Sequence, residues 1–150
     1  MTVNSISYSP DGKYIASGGN DNSFGNSEIR IWAINSGECI KTLEGHEGAV
    51  NSISYSPDGK YIASGSSDKT IRIWAINSGE CIKTLQGHRD SVNSVSYSPD
   101  GKYIASGSGD GTIRLLEIAS GQCIKTIKEN LNCKITILYS PDGKYIAIIS

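Results

Sequence analysis

An all-β chain, built as a series of four-stranded antiparallel sheets stacked radially on one another, is predicted by a repeat, a set of turns and a missing period. The repeat is the nonapeptide Tyr-Ser-Pro-Asp-Gly-Lys-Tyr-Ile-Ala, which begins at Tyr8, Tyr55, Tyr97 and Tyr139. Its spacings of 47, 42 and 42 residues fall where self-similarity marks arrays of one supersecondary unit. The turns are Pro- and Gly-bearing tetrapeptides that recur between short β-branched runs. The missing period is that of the helix: no stretch carries apolar residues at helical spacing over three turns.

The second copy justifies the elements in order. Residues 50–55 and 61–64 are short apolar or β-branched runs, and Ser56-Pro57-Asp58-Gly59 between them is a tight turn. Pro sets φ at its second position and Gly accepts the left-handed exit, so a hairpin is predicted. The stretch 65–69 then reverses the chain into residues 70–76, whose Thr, Ile and Trp favour a third strand. Asn77-Ser78-Gly79 turns again, and residues 81–85 give a fourth strand. Residues 5–18 repeat unchanged at 52–65, and 29–43 at 71–85, so the first copy carries the same elements. Ile53 and Tyr55 lie on one side of the first strand and Ser52 and Ser54 on the other. Both faces need cover, and the best cover is the next copy of the same sheet.

Composition narrows the function classes. At 150 residues the chain suits one architectural unit. It carries 14 Lys and Arg against 15 Asp and Glu with no run of either sign, so the counterion release that drives nucleic-acid binding has no source. The N-terminal residues show no basic region followed by an apolar one, and no segment is long enough to span a bilayer as a helix. Neither nucleic acid nor membrane is therefore expected as a partner. Cys39, Cys81 and Cys123 recur in Cys-Ile-Lys-Thr phrases, and equivalent outer positions of neighbouring units lie farther apart than the roughly 7 Å a disulfide tolerates between Cα atoms. They read as reduced, partly buried thiols of a cytoplasmic protein. Cys133 stands outside the pattern and, without a nearby His, supports neither a zinc site nor a nucleophile.

Gly45-His46 and Gly87-His88, the Ser-Pro-Asp-Gly turns, the Ala-Ser-Gly-Ser-x-Asp phrases ending at Asp68 and Asp110, and the Ile-Arg-Ile-Trp strands ending at Trp32 and Trp74 recur together in one order. In these motifs the chain resembles the WD-repeat β-propeller family. The resemblance implies blades at about 1–44, 45–86 and 87–128 and a half blade at 129–150. The family's Trp-Asp pair is Trp32-Ala33 and Trp74-Ala75 here, and Leu116-Glu117 in the third copy. That last change is expected to weaken the third blade's internal network.

The resemblance also implies an internal hydrogen-bonded set in the second blade: Trp74, Ser64, His46 and Asp68. It is repeated as His88, Ser106 and Asp110, and in part as Ser17, Asp21 and Trp32. A buried imidazole needs one donor and one acceptor, which Ser64 and Asp68 supply, while Ser64 also accepts from the indole. The same residue types could suggest acyl transfer, but Ser64 lies in a strand without a nucleophile elbow, and repetition of the set argues for scaffolding. No catalytic residue is assigned. His46 and His88 sit in different blades with no third ligand at metal spacing, so no metal and no cofactor is expected. The eight Tyr residues are all repeat positions, which disfavours an aromatic nucleic-acid platform.

Individuality is confined to the places where copies differ. Five extra residues, Asn22-Ser23-Phe24-Gly25-Asn26, enlarge the loop between the second and third strands of the first copy. In the family this loop, and the one after Gly-His, lie on the face most used for partners. Phe24, the only phenylalanine, would be displayed there together with Asn22, and Glu47, Ser67, Lys69, Arg89 and Asp90 vary on the same face. These residues are the predicted binding surface for a protein or peptide ligand of a non-catalytic scaffold. The alternative is a structural module whose main partner is another copy of itself.

Four first hairpins against three second ones predict fourteen strands. An open arc of on the order of 500 Å² of apolar surface per end, at about 25 cal/mol/Å², forfeits roughly 12 kcal/mol. Three arrangements relieve it: a longer propeller of which this is a segment, a homo-oligomer completing a ring, or a small strained ring. The fourth copy, with Lys134 where Val50 and Val92 stand, Asn130 for His88 and Leu138 for Ser96, reads as an altered closing surface.

Overall fold

A computed structural model describes residues 2–20, 27–129 and 134–149. It is all-β, and the fourteen strands of the described residues follow one meander. The first sheet holds β1 (Thr2–Tyr8), β2 (Tyr14–Asn20), β3 (Ser27–Ala33) and β4 (Cys39–His46). The second holds β5 (Val50–Tyr55), β6 (Tyr61–Ser66), β7 (Ile71–Ala75) and β8 (Cys81–Leu85). The third holds β9 (Val92–Tyr97), β10 (Tyr103–Ser108), β11 (Thr112–Glu117) and β12 (Cys123–Lys128), and β13 (Thr136–Tyr139) pairs β14 (Ile146–Ile149) in a two-stranded fourth. Every pairing is antiparallel between consecutive strands. The first sheet runs on to His46, so the Gly-His dipeptide closes one blade as well as opening the next.

The turn chemistry acts as the sequence predicts. In each Ser-Pro-Asp-Gly turn the Gly N–H donates to the Ser carbonyl at 2.9 Å, and Gly12, Gly59, Gly101 and Gly143 take φ of 71 to 74°. Asp58 accepts from the Ser56 hydroxyl at 2.6 Å and from the Lys60 N–H at 3.0 Å, a local closure of the kind Asx residues favour.

The apolar core lies between blades. Val50, Ile53 and Tyr55 of β5 bury against Ala16, Ile29 and Ile31 of the first sheet, and Val92, Val95 and Tyr97 bury likewise on the second. A polar zip accompanies this packing. Ile53 and Tyr55 N–H donate to the hydroxyls of Ser5 (3.0 Å) and Ser7 (3.3 Å), and Val95 and Tyr97 N–H to Ser52 (3.0 Å) and Ser54 (3.1 Å). Ile137 and Tyr139 N–H donate to Ser94 (2.9 Å) and Ser96 (3.4 Å). The inner strand of each blade is a sheet edge with unpaired donors, and the serines of the preceding blade satisfy them. Lys41 of β4 adds a peripheral brace, donating at 2.7 Å to the Ile76 and Asn77 carbonyls of the next blade.

Two expectations need correction. Cys81 is partly buried, but Cys39 and Cys123 are exposed, because the fourth strand is the outer edge of its blade and no neighbour covers its outward positions. Lys134 does not occupy the place of Val50 and Val92. A Cβ on Gly107 would stand 3.2 Å from Ile135 Cγ2, where one on Gly65 would meet Val92 Cγ1 and one on Gly18 would meet Val50 Cγ1. Ile135, fully buried, thus takes the apolar position, and Lys134 is exposed. The substitutions at Asn130 and Cys133 lie outside the described residues.

Candidate protein-binding face

The meander sends the Gly-His segments and the loops between second and third strands to one rim, and the Ser-Pro-Asp-Gly turns to the other. On the first rim, His46 Nδ1 lies 2.7 Å from the Asp68 carboxylate and Nε2 lies 2.7 Å from Ser64 Oγ. An ionised carboxylate only accepts, so Nδ1 carries the proton and Nε2 accepts from the Ser64 hydroxyl. The Ser64 oxygen in turn accepts from Trp74 Nε1–H at 2.9 Å. The His46 side chain is 1% exposed, and its ring meets Trp74 edge-on at 5.9 Å.

Asp68 is the knot. It also accepts from the Glu47 N–H (3.1 Å), the Thr70 N–H (3.0 Å) and the Thr70 hydroxyl (2.6 Å). Burial alone would raise its pKa, but the hydrogen bonds from His46 and Thr70 outweigh that and hold it well below the usual carboxylate range. Asp110 repeats the arrangement with His88 (3.0 Å), Arg89 N–H (2.9 Å) and Thr112, and is likewise lowered against the effect of burial. Burial pushes the His88 pKa down, against the pull of Asp110. Without an indole, Ser106 lies 2.8 Å from His88 Nε2 and 3.4 Å from the Arg114 carbonyl, so the third set is one donor short. In the first blade Trp32 Nε1–H donates to Ser17 at 2.8 Å, while Asp21 lies outside the described residues.

Thr70 and Thr112 are members of these sets that the residue pattern could have revealed, because Asp-x-Thr recurs at Asp68-Lys69-Thr70 and Asp110-Gly111-Thr112. Arg114 and Lys128 were also missed. With Arg89, Asp110, Thr112 and Glu129 they line a cavity of about 370 Å³ beside the third blade's rim loops.

Glu47, Ser67, Lys69, Arg89 and Asp90 are all exposed on this rim. Gly48 lies against the backbone of Ser67 and Asp68, and Gly109 against Asp90, so within each blade the two loops touch. The Asn51 amide donates at 3.1 Å to both the Ser67 hydroxyl and the Val92 carbonyl, which links the second blade's loops to the foot of the third's. Lys69 is the one non-glycine with positive φ among the described residues, at 71°, where the third copy has Gly111 at 78°. Asn22 and Phe24 lie outside the described residues.

Comparison with known proteins agrees with this geometry. Residues 23–150 match the family model described as IFT122 first beta-propeller, and residues 1–32 the model described as WD domain, G-beta repeat. Solved structures of the RRP9 WD40 repeats and of U3-55K are each 25% identical, with a TM-score of 0.82 over 92% of this chain and 42% of theirs. A stretch of 48 residues is 44% identical to Periodic tryptophan protein 2 homolog of Dictyostelium discoideum, covering 32% of this chain and 5% of that protein. This chain therefore spans less than half the length of each of these three proteins. On its repeats, its sheets and these matches, the chain belongs to the WD-repeat β-propeller family.

Proposed function

We propose that the chain is a non-catalytic scaffold that binds a protein or peptide on the rim carrying Glu47, Ser67, Lys69, Arg89 and Asp90. The observation that carries this reading is Lys69. A side chain held at a left-handed φ costs about 1 kcal/mol relative to glycine, and the equivalent turn in the third blade is made by Gly111. Glycine would make the same turn without that cost, so the exposed ammonium group is read as kept for what it meets outside. Asn22 and Phe24, which the sequence assigns to the equivalent loop of the first blade, would belong to the same surface. Its charges are mixed, two basic and two acidic, which suits a protein surface better than a polyanion.

Catalysis is disfavoured because Ser64 and Ser106 are fully buried and each is engaged by a buried histidine, Ser64 by the Trp74 indole as well. The exposed, unpaired thiols of Cys39 and Cys123 fit a cytoplasmic setting. Affinity capture tests the reading: Arg89→Ala, Phe24→Ala and Lys69→Gly should each reduce recovery of the proteins that the parent chain captures. Undiminished recovery by all three, with loss on Lys60→Ala at the opposite rim, would place binding elsewhere.

The rival reading, another copy of this chain as principal partner, has one observation behind it. Val3, Ile6 and Tyr8 of β1 are 54, 60 and 63% exposed, although their equivalents in β5 and β9 form the blade interfaces.

A further inference from the structure

The three junctions between successive sheets obey one rule. The receiving hairpin offers two hydroxyls from its first strand and a glycine from its second, and the arriving strand offers β-branched side chains and edge N–H groups. Gly18, Gly65 and Gly107 are the seats. A Cβ on Gly18 would stand 2.6 Å from Ile53 Cδ1 and Val50 Cγ1, one on Gly65 2.6 Å from Val92 Cγ1, and one on Gly107 2.9 Å from Ile137 Cδ1. Real Cβ atoms do not approach so closely, so the arriving blade fits only where that side chain is absent.

The β13–β14 hairpin departs from the rule at the positions that do the receiving. Its register pairs Thr136 with Ile149 and Leu138 with Ala147, as Ser94 pairs with Gly107 and Ser96 with Ala105. Thr136 keeps a hydroxyl. Leu138 replaces the second hydroxyl, which at the other junctions accepts from Tyr55, Tyr97 and Tyr139 N–H. Ile149 puts a branched side chain where the other hairpins have their glycine. Leu138 and Ile149 are 53 and 56% exposed on this face.

We infer that β13–β14 is a stop for blade stacking: its outward face rejects a blade of the repeated sequence, whether carried further along a polypeptide or presented by the exposed β1 of a second molecule. An arriving strand like β5 would meet Ile149 where it needs empty space, and would bury its Tyr N–H against Leu138 with no acceptor. The same residues therefore bar copies of this chain from joining head to tail, despite the intact docking strand at β1. This conclusion is independent of what the loop rim binds.

Sedimentation velocity over a concentration series tests it with four proteins: the parent chain, Ile6→Asp, Leu138→Ser/Ile149→Gly, and the triple variant. Ile6→Asp should leave the parent's weight-average mass unchanged. The double variant, with the hydroxyl and the glycine restored, should gain mass with concentration to about twice the monomer or beyond, and Ile6→Asp should remove that gain. A parent whose mass falls on Ile6→Asp, or a folded double variant with no gain, overturns the inference. Amide exchange on the parent chain decides the matter should the double variant unfold. Exchange of the Ile6 and Tyr8 N–H groups that is independent of protein concentration supports the stop, and protection that grows with concentration overturns it.

Discussion

Ser64 and Ser106 occupy equivalent positions, yet they carry different burdens. Ser64 satisfies both the His46 imidazole and the Trp74 indole, whereas Ser106 meets His88 with Leu116 in the place of the indole. Ser64→Ala strands two buried partners and should destabilise by about 2–3 kcal/mol, while Ser106→Ala strands one and should cost about 1–2 kcal/mol. Urea unfolding of the two variants checks the order, and equal losses would show that the indole bond contributes nothing. Protons report the same sets. His88 binds a proton less readily when folded, so the unfolded chain takes up more protons below the ordinary histidine value of 6.5. That stabilising term is whole above this pH and is lost as pH falls below it. Asp68 and Asp110, held ionised, add a second decline in the same direction once pH falls below 3.8. The urea midpoint should therefore drop between about pH 7.5 and about pH 5.5, and His88→Asn should shrink the drop; a flat parent profile would refute the assignment. His46, Ser64, Asp68 and Trp74 were legible through the family resemblance, which implied the set, and the need of a buried polar group for partners gives its physical reason. Thr70 was not read, because a threonine opening a strand has a sufficient local reason to be there.

Between elements, the serines opposite the apolar row do more than line a polar face. Ser52 and Ser54 alternate with Ile53 and Tyr55, and that alternation alone predicts a strand covered on both sides. It does not reveal that the hydroxyls accept N–H groups from the next blade, since a hydrogen bond between strands about forty residues apart leaves no local mark. Ser52→Ala with Ser54→Ala should orphan the Val95 and Tyr97 donors and cost about 1 kcal/mol each. The equivalent pair Thr136→Ala and Leu138→Ala should cost much less, because no blade draws on that face among the described residues. Equal effects in chemical denaturation would mean that the zip does not hold blades together. The shift of Ile135 into the Val50 position was illegible for a related reason. Counting back from Tyr139 by the spacing of the second copy sets Lys134 opposite Val50, and only the contact of Ile135 with Gly107, in a different blade, shows that its neighbour fills that place.

The molecule as a whole is an array, so its stability is a sum of blade and interface terms and is not uniform along the chain. Three apolar clusters join the four sheets. Those between first and second and between second and third sheets each hold nine buried residues, whereas the last, between the third sheet and β13–β14, holds four. The second sheet is covered on both faces and should be the last to open. β13–β14, with two strands and one covered face, should open first. A matched pair of amides isolates this from local hydrogen bonding. Val95 and Ile137 N–H both donate to a seryl hydroxyl of the preceding blade, at 3.0 and 2.9 Å, and both side chains are buried. Their intrinsic protection is thus similar, and any difference in exchange reports how often each blade detaches. The Val95 amide should exchange at least about tenfold more slowly than that of Ile137, with Ile53 at least as slow as Val95. Equal rates at all three positions would mean that the sheets unfold as one cooperative body, and the nearest-neighbour description would then fail for this chain.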